Sequence, residues 1–415
     1  MSRARLSGKL MGEIAIQPSK SAAHRAVICA SLAEGTSTID NIAMSDDISA
    51  TADCASALGL ADMEFDEKGK RAVITGRSIK GCDRAVLDCA ESGSTMRFFL
   101  PLAPLFSRKA VFTGRGRLME RPTEPLKSLL ISKGTSWREE PRVLSGGYEG
   151  GVFEISGGIS SQFITGLLFA LPLLPKKSAI LLTSPAESSG YIDMTVEMLR
   201  RFGIDAARGE KELTAFGRYA PADVTVEGDW SHAAFYAVAG ALYGKTTLTG
   251  LDMHSVQGDR AVIDILARMG AKVNTVKDSV TVERGELMAT DIDGSQIPDI
   301  VPVLAAAASV ARGTTRIYNA GRLRIKECDR LAAMADDLAQ VGADVSETED
   351  GLIIRGRETL AGGDASSFSD HRIAMTMAVL AGMTRDGITI DDTECVKKSA
   401  PDFWREFGAL GGRKA

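Results

Sequence analysis

Apolar positions along the chain fall into two alternating patterns. In the first, a Gly turn precedes a short run with period-two alternation, rich in Thr, Val and Ile. GTSTIDN (35–41), GKTTLTG (244–250), GTTRIYN (313–319) and GLIIRG (351–356) are of this kind. Such runs predict strands. In the second, apolar residues recur at helical spacing and stop at a Gly. ATADCASALGLAD (50–62), YIDMTVEMLRRFGIDA (191–206), LARMGAKV (266–273) and DRLAAMADDLAQVGADV (329–345) show it. These predict amphipathic helices ended by glycine. Between the copies lie further helices, often rich in alanine, such as HAAFYAVAGALYG (232–244) and PDIVPVLAAAASVARG (298–313). Each unit reads as a βαβαββ module, and its recurrence predicts an α/β repeat architecture. SGGYEGG (145–151) reads as a turn-rich loop.

The 415 residues exceed one ordinary core and suggest more than one domain. With 44% hydrophobic and 25% charged residues, the composition is that of a globular enzyme. A net charge of −5 disfavours a general nucleic-acid binder. No run reaches the ~20 apolar residues of a membrane span. The N-terminal MSRARLSGKLMGEIAI has no apolar stretch, so no signal peptide is expected. Six scattered cysteines form no CxxC pair, which fits a reducing cytoplasm and core packing rather than zinc or a redox dithiol.

The candidate chemistry sits at helix starts, where unpaired N–H groups and the dipole attract anions. PSKSAAHRAV opens one helix with Lys20, Ser21 and Arg25; capping by Ser19 or Ser21 is the plainer reading. ESGSTMRFF offers Gly93 for close approach of a ligand, with Arg97 read as a surface residue. In RLMERPTEP, Arg121 precedes proline and is therefore extended, suited to a carboxylate or phosphate. Ser160, Ser161 and Gln162 open a very apolar helix, either as a cap or as a phosphate cradle. Ser188 and Tyr191 lie in AESSGYIDMT. IKECDRLAAM supplies Lys326, Glu327 and Arg330, and FSDHRIAM supplies Asp370, His371 and Arg372. Basic groups there oppose the dipole unless an anion binds. Asp299 follows Pro298 at another helix start, and Lys398 sits in a loop where a solvated lysine is the default.

Taken in order, PSKSAAHR, ESGSTMR, LMERP, ISSQF, SSGYID, EGDWS, IPD, RIKECDR, SDHR and VKKSAP resemble the 5-enolpyruvylshikimate-3-phosphate (EPSP) synthase family over essentially the whole chain. The resemblance implies a two-domain inside-out α/β barrel, each domain three βαβαββ repeats, with helix N-termini facing the cleft between domains. The domains would be residues 1–19 with 230–415, and residues 20–229. It implies transfer of the enolpyruvyl group of phosphoenolpyruvate to the 5-hydroxyl of shikimate 3-phosphate by addition and elimination, as a step of aromatic amino-acid biosynthesis.

Carried over by position, Lys20, Ser21, Arg25, Ser160, Ser161, Gln162, Ser188, Asp299 and Lys326 would hold shikimate 3-phosphate. Lys20, Gly93, Arg121, Gln162, Arg330, Arg372 and Lys398 would hold phosphoenolpyruvate. Asp299 would be the base at the hydroxyl, with Glu327 and Lys20 moving the proton at C3. Arg322 stands where the family often has Asn, so its contact is left unassigned. The resemblance implies a cytoplasmic monomer with no metal, cofactor, nucleic acid or membrane partner. The sister transferase that acts on UDP-N-acetylglucosamine uses a loop cysteine, and residues 115–125 contain none. A non-catalytic polyanion binder would not need Asp299 and Glu327 beside the cations. No GxGxxG or GxxxxGK[ST] motif follows a strand, which disfavours a nucleotide enzyme.

Overall fold

The computed structural model describes residues 2–66, 68–78 and 81–415. The chain forms two units, Pro18–Val226 and a second made of the residues up to Gln17 together with Glu227–Ala415. The crossings fall at 17/18 and 226/227, a few residues before the positions expected from sequence. Twelve helices are described: α1 (Lys20–Leu32), α2 (Asp46–Ala57), α3 (Gly93–Phe106), α4 (Leu126–Ser132), α5 (Ser161–Ala170), α6 (Ser189–Arg201), α7 (Trp230–Tyr243), α8 (Val262–Arg268), α9 (Val301–Ala308), α10 (Arg330–Gln340), α11 (His371–Leu380) and α12 (Phe403–Ala409).

Each unit carries three four-stranded sheets. In a complete module the first two strands are parallel, joined by a helix. The second helix then leads to an antiparallel pair whose last strand sits in the middle. Strands 152–155 and 179–182 pair in parallel, with 212–216 and then 205–208 added antiparallel, and α5 and α6 connect them. Strands 85–88, 109–113, 142–145 and 136–138 repeat this order with α3 and α4.

Some modules are assembled from distant pieces. Strand 35–40 takes its parallel partner from 224–225, at the far end of the same unit. In the other unit, strand 12–15 lies parallel to 245–249, and strand 4–7 lies between 388–390 and 413–414.

The helices of a module differ as their sequences do. Every residue of α7, α9 and α11 is buried, and these three pack on one another. Helices apolar on all sides belong inside. α6 and α10 bury one stripe only. The sheets lie outside the inner helices and alternate buried with exposed positions, as in strand 71–76. α3 and α5 pack closely because Gly166 has no side chain. A Cβ there would lie 2.5 Å from the Arg97 carbonyl oxygen. Among the described residues, no helix is long and apolar enough to cross a membrane.

Candidate active site

In the unit Pro18–Val226, polar residues gather at the starts of α1, α3, α5 and α6. Ser19, Ser92 and Ser160 cap the first three by accepting from N–H groups of the first turn. Capping is thus done by Ser19, Ser92 and Ser160, so Lys20, Ser21, Gly93 and Ser161 have no part in it. Lys20 Nζ stands 2.6 Å from Asp47 Oδ2, on the first turn of α2.

Gly93, Arg97, Arg121 and Gln162 converge. A Cβ on Gly93 would come 2.7 Å from Arg121 Nη1, 2.9 Å from Arg97 Nη1 and 3.8 Å from Gln162 Oε1. Arg97 Nη1 donates to Gln162 Oε1 at 2.8 Å, and Gln162 Nε2 donates to Ser94 Oγ at 2.9 Å. Arg121 is extended, with φ −64° and ψ 139°, as the following proline requires. Two guanidinium groups at a helix N-terminus built around a glycine suit a carboxylate or phosphate. Arg97 is no surface residue. It is 8% exposed and stacks over the Phe163 ring.

Arg25 is more deeply embedded than a ligand-binding cation at a helix start. It donates to Ser21 O, Tyr191 O, Thr195 Oγ1 and Thr165 Oγ1, and lies over the Phe98 and Tyr191 rings. Burial lowers its pKa to about 10, although Tyr191 and Cys29 act against that. Arg25 thereby fastens α1 to α5 and α6. Ser188 precedes α6 in a left-handed conformation, φ 50° and ψ 46°, and is buried. Such strain in a non-glycine residue costs about 1–3 kcal/mol and tends to gather at functional positions.

The other unit holds a denser constellation, in which Arg330 is the hub. Its Nε donates to Asp370 Oδ2 at 2.7 Å, Nη1 to Asp299 Oδ1 at 2.9 Å and Nη2 to Glu327 Oε2 at 2.9 Å. Asp299 also faces Lys326 at 3.6 Å and Arg372 at 3.8 Å, while Lys398 reaches Glu327 at 3.3 Å. Asp370 caps α11 by accepting from the Arg372 N–H. Burial lowers the Lys326 pKa, an effect that Asp299 opposes. Lys398 is not solvated: it is 6% exposed, at the end of the short turn Glu394–Lys398. The six residues singled out here by sequence, Asp299, Lys326, Glu327, Arg330, Arg372 and Lys398, form one connected network. Arg322 lies beside it, donating to Ser295 O at 2.8 Å.

Sequence reasoning missed the part of Asp47, which pairs Lys20, and of Asp370, which anchors Arg330. Asp370 carried a signal as the cap of an apolar helix. Asp47 carried only its place behind Ser45, the cap of α2. Four cations interleaved with carboxylates, all partly or wholly withdrawn from water, can bind an anion and move protons.

A family model for EPSP synthase (3-phosphoshikimate 1-carboxyvinyltransferase) matches residues 5–407. Relatives named 3-phosphoshikimate 1-carboxyvinyltransferase include one from Clostridium perfringens, 45% identical over 413 residues, covering 97% of each chain. One from Clostridium novyi is 42% identical over 420 residues, covering 98% of this chain and 97% of its own. Among solved structures, EPSP synthase from Acinetobacter baumannii superimposes with a TM-score of 0.82 at 26% identity, over 100% of both chains. The enolpyruvyl transferase NikO from Streptomyces tendae shares the fold, with a TM-score of 0.81 at 18% identity over 100% of this chain and 99% of its own.

Proposed function

Because the chain belongs to the EPSP synthase (3-phosphoshikimate 1-carboxyvinyltransferase) family, we propose that its two polar constellations carry out that family's reaction, with the residue roles below. The enzyme transfers the enolpyruvyl group of phosphoenolpyruvate to the 5-hydroxyl of shikimate 3-phosphate and releases phosphate. The hydroxyl oxygen adds to C2 while C3 gains a proton. Loss of a proton from the C3 methyl group and departure of phosphate from the tetrahedral adduct then restore the double bond.

The observation that carries the role assignment is the Arg330 network. It sets the carboxylates Asp299 and Glu327 on one guanidinium and surrounds them with Lys326, Arg372 and Lys398. Both substrates are polyanions, and these cations offset their charge and hold them in line. Asp299 takes the hydroxyl proton, and Glu327, with Lys20, moves the proton at C3. Arg330, Arg372, Lys398, Lys20, Arg121, Gln162 and Gly93 hold phosphoenolpyruvate. Lys20, Ser21, Ser160, Ser161, Gln162, Ser188, Asp299 and Lys326 hold shikimate 3-phosphate. Arg25 enters this set through the Ser21 and Tyr191 carbonyls that it orients. The enzyme is further proposed to act as a cytoplasmic monomer, and its unbridged cysteines are compatible with that compartment.

The test is phosphate release from phosphoenolpyruvate, with shikimate 3-phosphate and separately with UDP-N-acetylglucosamine. Release with shikimate 3-phosphate alone is expected. Release only with the sugar nucleotide would replace the acceptor. Silence with both would leave a binding protein of the same fold.

A further inference from the structure

Close to Asp299 lies a second carboxyl group that the proposed mechanism does not use. Asp259 stands in the short turn Gly258–Ala261 before α8. This turn packs against the loop that carries Asp299: a Cβ on Gly258 would lie 2.7 Å from the Gln296 carbonyl oxygen. Asp259 is 3% exposed. Its Oδ2 accepts a hydrogen bond from the Ser231 hydroxyl, on the first turn of α7. Its Oδ1 is buried and has no hydrogen-bond partner. The charged groups that face it are Asp299, Arg372 and Asp229. A buried carboxylate oxygen without a donor is costly, and a proton on that oxygen removes the cost.

We infer that Asp259 is a positioning residue for the reaction, a buried carboxyl tied to α7 through Ser231 whose charge sets how strongly Asp299 takes the proton of the acceptor hydroxyl. The inference rests on Asp299 being the base. Asp259 does not touch substrate. Burial and then the neighbouring Asp299 push its carboxyl from 3.8 up to about 7, while Ser231 and Arg372 pull the other way. Below that pH Asp259 is neutral and adds no field at Asp299. Above it, the added negative charge makes Asp299 hold a proton more strongly, which favours abstraction. In that step the acceptor O–H bond breaks and a bond to an Asp299 oxygen forms. The proton of Asp259 goes to solvent.

The test is the pH profile of kcat for the wild type, Asp259→Asn and Ser231→Ala. The wild type should show an inflection near the Asp259 pKa. Asp259→Asn, fixed in the neutral state, should match it below about pH 6 and fall roughly three- to tenfold short above about pH 8. KM for both substrates should not change. Ser231→Ala loses the hydrogen bond that stabilises the charged form, so its inflection should move to higher pH. Superimposable profiles in all three proteins would overturn the inference. If Asp259→Asn does not fold, the position of the Ser231→Ala inflection decides. Failure of the base assignment is seen separately, as near-normal kcat in Asp299→Asn.

Discussion

Arg330 and Asp370 form a two-point pair, Nε to Oδ2 at 2.7 Å and Nη2 to Oδ1 at 3.3 Å, with both side chains removed from water. Burial alone would lower the Arg330 pKa, but Asp370, Glu327 and Asp299 outweigh it and hold the pKa above the ordinary arginine value. The pair couples the start of α10 to the start of α11. Asp370→Asn keeps an N-cap for α11 but removes the charge, and one partner lost from a buried pair costs about 3–5 kcal/mol. Urea unfolding should show a loss of that order, accompanied by a higher KM for phosphoenolpyruvate. A loss of only a few tenths would mean that Asp299 and Glu327 hold Arg330 without help.

Asp299 and Glu327 are expected to separate in their kinetics. Asp299→Asn should lower kcat by about 10²–10⁴, far more than it weakens binding of shikimate 3-phosphate. Glu327→Gln should slow the exchange of solvent protons into the enol methylene group, read by deuterium incorporation. Unchanged exchange would remove Glu327 from proton transfer at C3.

Gly93 leaves little room for a methyl group. In Gly93→Ala the new carbon would sit 2.7 Å from Arg121 Nη1 and 2.9 Å from Arg97 Nη1, so both side-chain ends must move. These are flexible tips, so the variant should fold. Its KM for phosphoenolpyruvate should rise roughly tenfold, which corresponds to about 1.4 kcal/mol. Calorimetric titration showing unaltered binding of phosphoenolpyruvate would argue that Gly93 and Arg121 do not hold it.

Asp337, on α10, carries a pH-dependent part of the stability. Its Oδ1 accepts from the Ser366 N–H at 2.9 Å, and its Oδ2 is buried with no partner. Burial raises its carboxyl from 3.8 to about 7; the Ser366 bond opposes this and Asp391 adds to it. The folded state therefore keeps a proton that the unfolded chain has already released. Stability from this group is present at low pH, falls as pH rises from about 4 to about 7, and is level above that. Asp337→Asn keeps the acceptor for Ser366 and lacks the slope. Its melting temperature relative to the wild type should therefore climb between pH 5 and pH 8. A constant difference would show that the proton is not held.

Much of this fold is legible because its signals are local. Gly stops, β-branched alternation and alanine-rich helices mark the modules without reference to distant residues. Helix starts were equally legible as anion sites, since the N-cap and the cation that follows are neighbours in sequence. Burial of charge was not. The plain readings of Arg97 and Lys398 put them in water, but Gln162 and Glu327, far along the chain, draw them inside. Nor does local pattern show that strand 35–40 takes its partner from 224–225, a piece too short to display alternation.

The strand at residues 4–7 is made well before its partners and is paired late. Its neighbours, 388–390 and 413–414, are made only after the whole unit Pro18–Val226. The stretch Pro18–Val226, by contrast, contains both partners of every strand pair in its sheets. Vectorial synthesis thus lets the inserted unit close while the earlier strand still waits with bare edges. For that interval strand 4–7 is an unpaired edge to which other strands could add.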